Sequence, residues 1–180
     1  MQARGFTLVE LMIGLAIMAI LMLIATPTMI EFMGNSRIRN TADSIAQGLR
    51  QAQVEALKRN RDIEFIVDPA LEWRINDPTD GVVLQREPFV HPATVSIDVN
   101  PAGTSTIVYS GLGQYRPSTD PAAPPAPGPA QWFVVTSPTM SSPHTLRVIA
   151  DPALGVGVRV CDPQFSSAAV DPVQASIGCP

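Results

Sequence analysis

The stretch GFTLVELMIGLAIMAILMLIATP, residues 5–27, begins a run of apolar side chains that decides the architecture of the N-terminal part of the chain. From Leu11 to Ala25 there is no polar side chain. A helix needs about 17–25 residues to cross a bilayer, and the run has that length. The sequence therefore predicts one membrane-spanning helix over residues 6–33, with the acid Glu10 as its anomaly.

Glu10 distinguishes between interpretations of this helix. An acid at the centre of a spanning helix costs about 2.5–3.5 kcal/mol and needs a partner, yet no Lys or Arg lies between Arg4 and Arg37. A secretory signal peptide would end in a small-residue cleavage site, which the flank ATPTMIEFMG does not resemble. A simple signal anchor accounts for the apolar run but leaves Glu10 unexplained.

Cleavage between Gly5 and Phe6 would supply the missing partner. It would create an α-amine at Phe6, four residues and therefore about one helical turn from Glu10. That amine, on the same subunit or on a neighbour in a bundle of similar helices, could neutralise the carboxylate in an apolar interior. Removal of a leader peptide, residues 1–5, would also delete Arg4. In this interpretation the apolar run is an assembly signal as well as an anchor.

A second helical segment, residues 34–61, follows the apolar run. It carries one apolar stripe at spacings of three and four residues, which is typical of an amphipathic helix packed on a core. Pro27 and Gly34 are weak points between the two segments. If the helix is continuous from Thr7 to about Arg59, it is near 80 Å long and one half must project from the domain. The stripe consists of Ile38, Ala42, Ile45, Leu49, Ala52 and Ala56.

The remainder, residues 62–180, is predicted to be a β-rich head. Its short Val-, Ile- and Thr-rich segments are typical of strands, and six Asp-Pro pairs are interpreted as turns rather than as calcium ligands. The Pro-rich segment 117–130 is predicted to be a surface loop. The predicted strands are Ile63–Val67, Leu71–Ile75, Val82–Gln85, Thr94–Val99, Ser105–Ser110, Gln131–Thr136, Thr145–Ile149 and Val156–Cys161.

The sequence gives no pattern of catalytic or metal-binding chemistry. It has no Gly-rich phosphate loop, no His-Glu-x-x-His helix and no Gly-x-Ser-x-Gly elbow. His91 and His144 are isolated in sequence, and no Cys-x-x-Cys occurs. A net charge of -4 argues against broad attraction to nucleic acid. We therefore predict a structural protein, with no catalytic residues, no metal and no cofactor.

The N-terminus resembles the class III signal of type IV prepilins and of the pseudopilins of type II secretion. The matching positions are Arg4, Gly5, Phe6, Thr7, Leu8, Glu10 and Pro27. The resemblance implies that prepilin peptidase cleaves after Gly5 and N-methylates Phe6. It also implies that Glu10 guides assembly with other pilins or pseudopilins into a helical filament with a core of apolar helices.

Further along, the chain resembles the GspH/FimT family of minor pilins and pseudopilins. The segment SIAQGLRQAQVEALKRNRDIEFIVD matches the family stretch at Leu49, Ala52, Glu55, Ala56 and Arg59. EWRI, STIVYSGLGQY and VGVRVCDP resemble three of its strands. The implied fold is the α+β type IV pilin fold, a long N-terminal helix packed against small antiparallel sheets. The implied function is that of a minor pilin of a type IV pilus, or else of a type II secretion pseudopilin.

The resemblance also bears on location and on the end of the chain. It implies a single-pass protein of the bacterial inner membrane, with its head in the periplasm before it enters a pilus or pseudopilus. In that oxidising setting Cys161 and Cys179 are expected to form a disulfide that closes the loop 161–179; two free thiols are the alternative. Some FimT-type members bind DNA through a Gly-Arg-x-Arg element, of which only Arg159 is present here. DNA binding through Arg159 is thus a weaker hypothesis.

Overall fold

The computed structural model describes most of the chain, and the leader 1–5 and nearly all of the Pro-rich segment 117–130 lie outside the described residues. Most of the loop between the two cysteines also lies outside them. Within the helix the side chains of residues 24–28 are not described, nor are those of residues 116 and 166. The described ranges are 6–70, 72–89, 94–103, 105–116, 130–140, 143–151, 157–166 and 178–179.

One helix, α1, runs without interruption from Leu8 to Arg59, which makes it about 80 Å long at 1.5 Å per residue. Neither Pro27 nor Gly34 ends it. Thr7 caps its start, because its hydroxyl accepts a hydrogen bond from the backbone N–H of Glu10 at 3.2 Å. Asn60 ends it in the left-handed conformation, φ 49°. The predicted long N-terminal helix, apolar and then amphipathic, is confirmed, and the structure shows that its two segments are continuous.

The second half of α1 forms one wall of the core. All six residues of the predicted apolar stripe are 0% exposed, from Ile38 to Ala56. They pack against both sheets of the head. Where the helix crosses the first sheet, Gly48 faces the rings of Phe65 and Trp73 at a distance that leaves no room for a methyl group. The stripe therefore decides which face of the helix the head covers.

The head consists of two five-stranded sheets that lie against α1. The first sheet has the order β3-β2-β1-β5-β6, and the second has the order β10-β9-β8-β7-β4. All pairings are antiparallel apart from the one between β9 and β10. The strands are β1 Ile63–Asp68, β2 Glu72–Asp77, β3 Val82–Pro88, β4 Ser96–Asn100, β5 Thr106–Tyr109, β6 Tyr115–Arg116, β7 Gln131–Thr136, β8 Leu146–Ala150, β9 Val158–Ser166 and β10 Gly178–Cys179.

Each of the eight predicted strands coincides with an observed one, whereas β6 and β10 were not predicted. The turn interpretation of Asp-Pro holds at Asp68 and Asp77, whose carboxylates accept backbone N–H groups two residues on, at 3.1 Å. It is wrong at Asp162, which makes the same local hydrogen bond to Gln164 but lies inside β9. β9 continues through Asp162 because β10 pairs with it there, with Gly178 opposite Asp162.

In the part of the chain that the structure describes, no helical segment is both long and apolar enough to cross a membrane. The predicted membrane span over residues 6–33 is therefore not confirmed.

Candidate functional site

The first turn of α1 places Glu10 on an exposed surface. Glu10 is the one acid of that turn, where the free backbone N–H groups of the helix favour negative charge. Phe6, two residues before the helix begins, is 84% exposed. The two residues that the sequence pairs, Phe6 and Glu10, thus lie together at one end of the molecule. Gly5, the third member of the predicted signal, is outside the described residues.

From Phe6 to Met33 the described apolar side chains are exposed on every side of the helix. The large ones are between 48% and 84% exposed. A helix that is hydrophobic all round is stable only where something apolar surrounds it. The large exposed apolar side chains are Phe6, Leu8, Val9, Leu11, Met12, Ile13, Leu15, Ile17, Met18, Ile20, Leu21, Met22, Leu23, Met29, Ile30, Phe32 and Met33. We call this set the apolar half of α1.

The head begins at a junction around Gly34 and Asn35. The thioether of Met140 packs where a methyl group on Gly34 would lie. The side-chain oxygen of Asn35 accepts a hydrogen bond from the backbone N–H of His144 at 3.3 Å. The His144 ring lies with Nδ1 3.5 Å from the carboxylate of Asp162, a buried residue of β9. These contacts fix the second sheet to the helix where the apolar half ends.

A groove of about 620 Å³ opens at this junction, between α1 and strands β8 and β9. Its walls are mainly apolar, and charged groups from the helix lie along it. We call it the junction groove. No sequence pattern predicts this groove, because its two walls come from segments that are about a hundred residues apart along the chain. Among the residues that line it are Phe32, Arg39, Asp43, Leu146, Val160 and Phe165.

At its other end α1 is joined to the first sheet by charges. The carboxylate of Asp77, whose side chain is 1% exposed, lies 3.4 Å from Arg61 Nη1 and 3.8 Å from Arg59 Nη1. Arg61 also reaches Asp80 at 2.9 Å. Arg59 donates a hydrogen bond to Glu55 at 2.9 Å, and this bond is the main cause that lowers the pKa of Glu55. The head is therefore held on the helix at both ends.

The C-terminal residues form a small cluster on the second sheet. Cys161 of β9 and Cys179 of β10 are joined by a disulfide with their Cα atoms 5.1 Å apart. The predicted disulfide is confirmed, and the alternative of two free thiols is wrong. Arg159 is half-buried, and its Nη2 donates to the carbonyl oxygen of Gly178 at 3.5 Å. Its guanidinium thus contacts the backbone of β10, and its contact with DNA stays a prediction.

Within the described ranges, no three His, Cys, Asp or Glu side chains come close enough to hold a metal ion. His144, which is isolated in sequence, pairs with Asp162, but this pair lies at the junction and has no third ligand among the described residues. The sequence does not predict this pair, because Asp162 is interpreted there only as part of an Asp-Pro turn.

Comparison with known proteins gives matches for the N-terminal segment and for most of the head. Residues 1–26 match the prokaryotic N-terminal methylation motif, and residues 41–152 match the family described as type II transport protein GspH. A search of curated protein sequences found no significant match.

Two crystal structures of the type IV minor pilin FimU from Pseudomonas aeruginosa are similar in fold. One has a TM-score of 0.50 at 15% identity, covering 67% of this chain and 91% of FimU. The other has a TM-score of 0.51 at 12% identity, covering 68% and 90%. The expected fold, a long helix packed against antiparallel sheets as in type IV pilins, is thereby confirmed. Since the GspH family model matches more than half of the sequence, this chain belongs to the GspH family of pilin-like proteins.

Proposed function

We propose that this protein is a minor pilin that prepilin peptidase cleaves after Gly5 and methylates on Phe6, and that it then enters a type IV pilus. The exposure of the apolar half of α1 carries the proposal. Burial of one large apolar side chain is worth about 1.5–3 kcal/mol. Sixteen such side chains project from α1, and Phe6 lies just before it, so this segment has a strong drive to leave water. Lipid before assembly and other helices after it would both satisfy that drive.

Glu10 gives the helix different free energies in lipid and in a bundle of other helices. In lipid its carboxylate costs free energy, because it has no cation nearby in its own helix. In a bundle of cleaved subunits, the α-amine at Phe6 of the same or a neighbouring subunit supplies the positive charge. Phe6 lies just before the first turn of α1 and Glu10 lies within that turn, so the new amine would stand at the same end of the helix as the carboxylate. After cleavage, the Glu10 carboxylate therefore has a lower free energy in the filament than in the membrane, and this difference favours assembly.

The alternative assembly is the pseudopilus of type II secretion, to which the description of the matched family refers. The two assemblies use the same chemistry at Gly5, Phe6 and Glu10, so these residues do not separate them. Deleting the pilus assembly machinery and, separately, the secretion machinery would do so. A minor pilin loses its incorporation only in the first deletion, and a pseudopilin only in the second.

The test of the proposed function compares Glu10→Ala with Glu31→Ala in the full chain. Both residues are exposed acids on α1, but only Glu10 lies one turn from the new amine. Mass spectrometry of the mature N-terminus should find methylated Phe6 as the first residue in the wild type and in both variants. Filament preparations should lose the Glu10→Ala protein and keep the Glu31→Ala protein.

Two results would contradict the proposal. A mature chain that starts at Met1, or beyond Ala25, would exclude processing at Gly5. Incorporation of Glu10→Ala at the wild-type level would show that the carboxylate has no part in assembly.

A further inference from the structure

The junction groove carries two opposite charges that have no partner in the described part of the chain. Four of the residues that line it are charged or titratable. Two of them, His144 and Asp162, already lie together, with His144 Nδ1 3.5 Å from the carboxylate. The other two, Arg39 and Asp43, are exposed on α1 and form no ion pair with another described side chain. The groove therefore offers one cation and one anion to a ligand.

The order of these two charges along α1 explains why both stay available. Arg39 and Asp43 are four residues apart, about 6 Å along the axis, so they lie on the same face of the helix. An acid that follows a base at this spacing pairs with it less well than an acid that precedes it. The guanidinium and the carboxylate are therefore neighbours on one wall of the groove without satisfying each other.

Apolar side chains form the opposite wall. Leu146 of β8 and Val160 of β9 are half-buried and pack against the core of the head. Phe165 lies further along β9 and also lines the groove. The volume of about 620 Å³ falls within the range of about 300–1,000 Å³ that is usual for small-molecule sites. A ligand that fits this groove has an apolar part and two opposite charges close together.

The groove begins where the apolar half of α1 ends, because Phe32 belongs to both. Between Glu10 and Glu31 the sequence has twenty residues without a charged side chain. As a helix they span about 30 Å, the thickness of the hydrocarbon core of a bilayer. Arg39 lies about 12 Å beyond Glu31 along the axis, and its long side chain points back towards the start of the helix. With the apolar half in lipid, the Arg39 guanidinium is thus directed towards the headgroup layer.

We propose that the junction groove binds the headgroup of a zwitterionic phospholipid with a primary ammonium, phosphatidylethanolamine, before assembly. The lipid phosphate lies at the guanidinium of Arg39, which matches phosphate in charge and geometry, and the ammonium donates to the carboxylate of Asp43. The upper part of an acyl chain lies against Leu146 and Val160. The mixed charge of the groove selects a zwitterion, because an anionic lipid would bring no cation to Asp43. The proposal rests on the proposed function, since it needs the apolar half to lie in lipid.

Photoreactive lipids test this contact on the unaltered full chain. The chain is reconstituted in phosphatidylcholine nanodiscs that contain a trace of diazirine-bearing phosphatidylethanolamine, phosphatidylcholine or phosphatidylglycerol, with the diazirine on the acyl chain near the glycerol. Mass spectrometry then measures adducts on Leu146, Val160 and Phe165 relative to adducts between Leu11 and Leu23. This ratio should be highest for phosphatidylethanolamine and about two- to fivefold lower for phosphatidylglycerol, the range of an exposed ion pair. Phosphatidylcholine should lie between them, because its ammonium has no N–H to donate.

Two variants with matched controls assign the contacts. Asp43→Asn removes the acceptor for the ammonium and should lower the ratio for phosphatidylethanolamine to the value for phosphatidylcholine. Arg39→Gln removes the partner of the phosphate and should lower the ratio for all three lipids about two- to fivefold. Arg37→Gln and Glu87→Gln are the controls, because both residues line a different groove. They should leave every ratio unchanged.

The outcomes separate this inference from the proposed function. Equal ratios for the three lipids, or adducts in the apolar half with none in the groove, overturn headgroup binding and leave the proposed function intact. A ratio that is highest for phosphatidylglycerol overturns the zwitterion as the ligand. If Arg39→Gln and Asp43→Asn behave like their controls, these two charges do not bind the headgroup. The absence of adducts in the apolar half as well would overturn both this inference and the lipid stage of the proposed function.

Discussion

Gly48→Ala should destabilise the head, although alanine normally strengthens a helix. In an exposed helix the exchange gains about 1 kcal/mol. At Gly48 the added methyl group would lie 2.6 Å from Phe65 Cε2 and 3.0 Å from Trp73 Cδ2. Phe65 is fully buried and packs edge-on against Phe133, with ring centroids 6.4 Å apart. Neither aromatic ring can move away cheaply, because the Trp73 indole N–H is also bound to Ser44 at 2.9 Å.

The magnitude follows from the difference of the two effects. Overpacking a buried site costs about 1–3 kcal/mol, and the upper part of that range applies where both neighbours are fixed. After the gain in helix propensity, the net loss is about 1–2 kcal/mol. For a chain of this size each kcal/mol shifts the melting temperature by about 2–4 °C. The variant should therefore melt about 2–8 °C below the wild type.

Thermal unfolding of the full chain in detergent, followed by tryptophan fluorescence, measures this shift directly, because Trp73 lies at the altered contact. Gly14→Ala is the matched control, since no atom outside the adjacent backbone of its own helix lies within 4 Å of the added methyl group. It should leave the melting temperature unchanged or raise it. If Gly48→Ala melts at or above the wild-type temperature, the close approach of α1 to β1 and β2 is wrong.

Three further predictions concern the head. Cys161→Ser opens a loop whose cysteines are 18 positions apart and should lower the free energy of unfolding by about 3 kcal/mol in urea titrations; an unchanged midpoint would contradict this. Asp77→Asn leaves two arginines without their buried carboxylate and should cost about 1–3 kcal/mol, whereas Asp80→Asn, at an exposed site, should cost about 0.5 kcal/mol or less. Burial is the main cause that raises the pKa of Tyr109 and Tyr115, the only two tyrosines, above the ordinary value of 10.0. As pH rises above 10.0 the unfolded chain ionises first, so stability should fall and tyrosinate absorbance should appear only with unfolding; a tyrosinate signal from a folded head would count against it.

Much of the fold could be predicted because its periodicities are local. The stripe from Ile38 to Ala56 follows the helical repeat, and the residues it names are those that the sheets bury. The alternation of apolar and polar residues, together with the enrichment in β-branched residues, predicted the longer strands in the same way. The disulfide followed from the setting that the N-terminal signal implies, together with there being only two cysteines.

What could not be predicted depends on contacts between distant segments. β10 has only two residues, and it becomes a strand because the disulfide holds it beside β9. The junction groove needs Phe32 of the helix and Phe165 of β9 on facing walls. The turn between β5 and β6 also depends on such a contact, because Gly111 packs against the backbone of Asn60 at the end of α1.

Gly34 marks the point where α1 changes from the exposed half to the half that the head covers. The two halves contribute to different free energies, the exposed half to assembly and the covered half to folding of the head. Residues after Gly34, such as Leu49, are covered by the head and contribute to its folding. Residues before it, such as Leu15, are exposed in the subunit and contribute only when a partner covers them. Substitutions in the two halves should therefore act on different measurements. Gly48→Ala should lower the melting temperature of an isolated subunit, while Glu10→Ala should leave that temperature unchanged and act on incorporation. If Glu10→Ala also lowered the melting temperature by several degrees, the two halves would share one cooperative unit, and loss of the filament would no longer indicate a role in assembly.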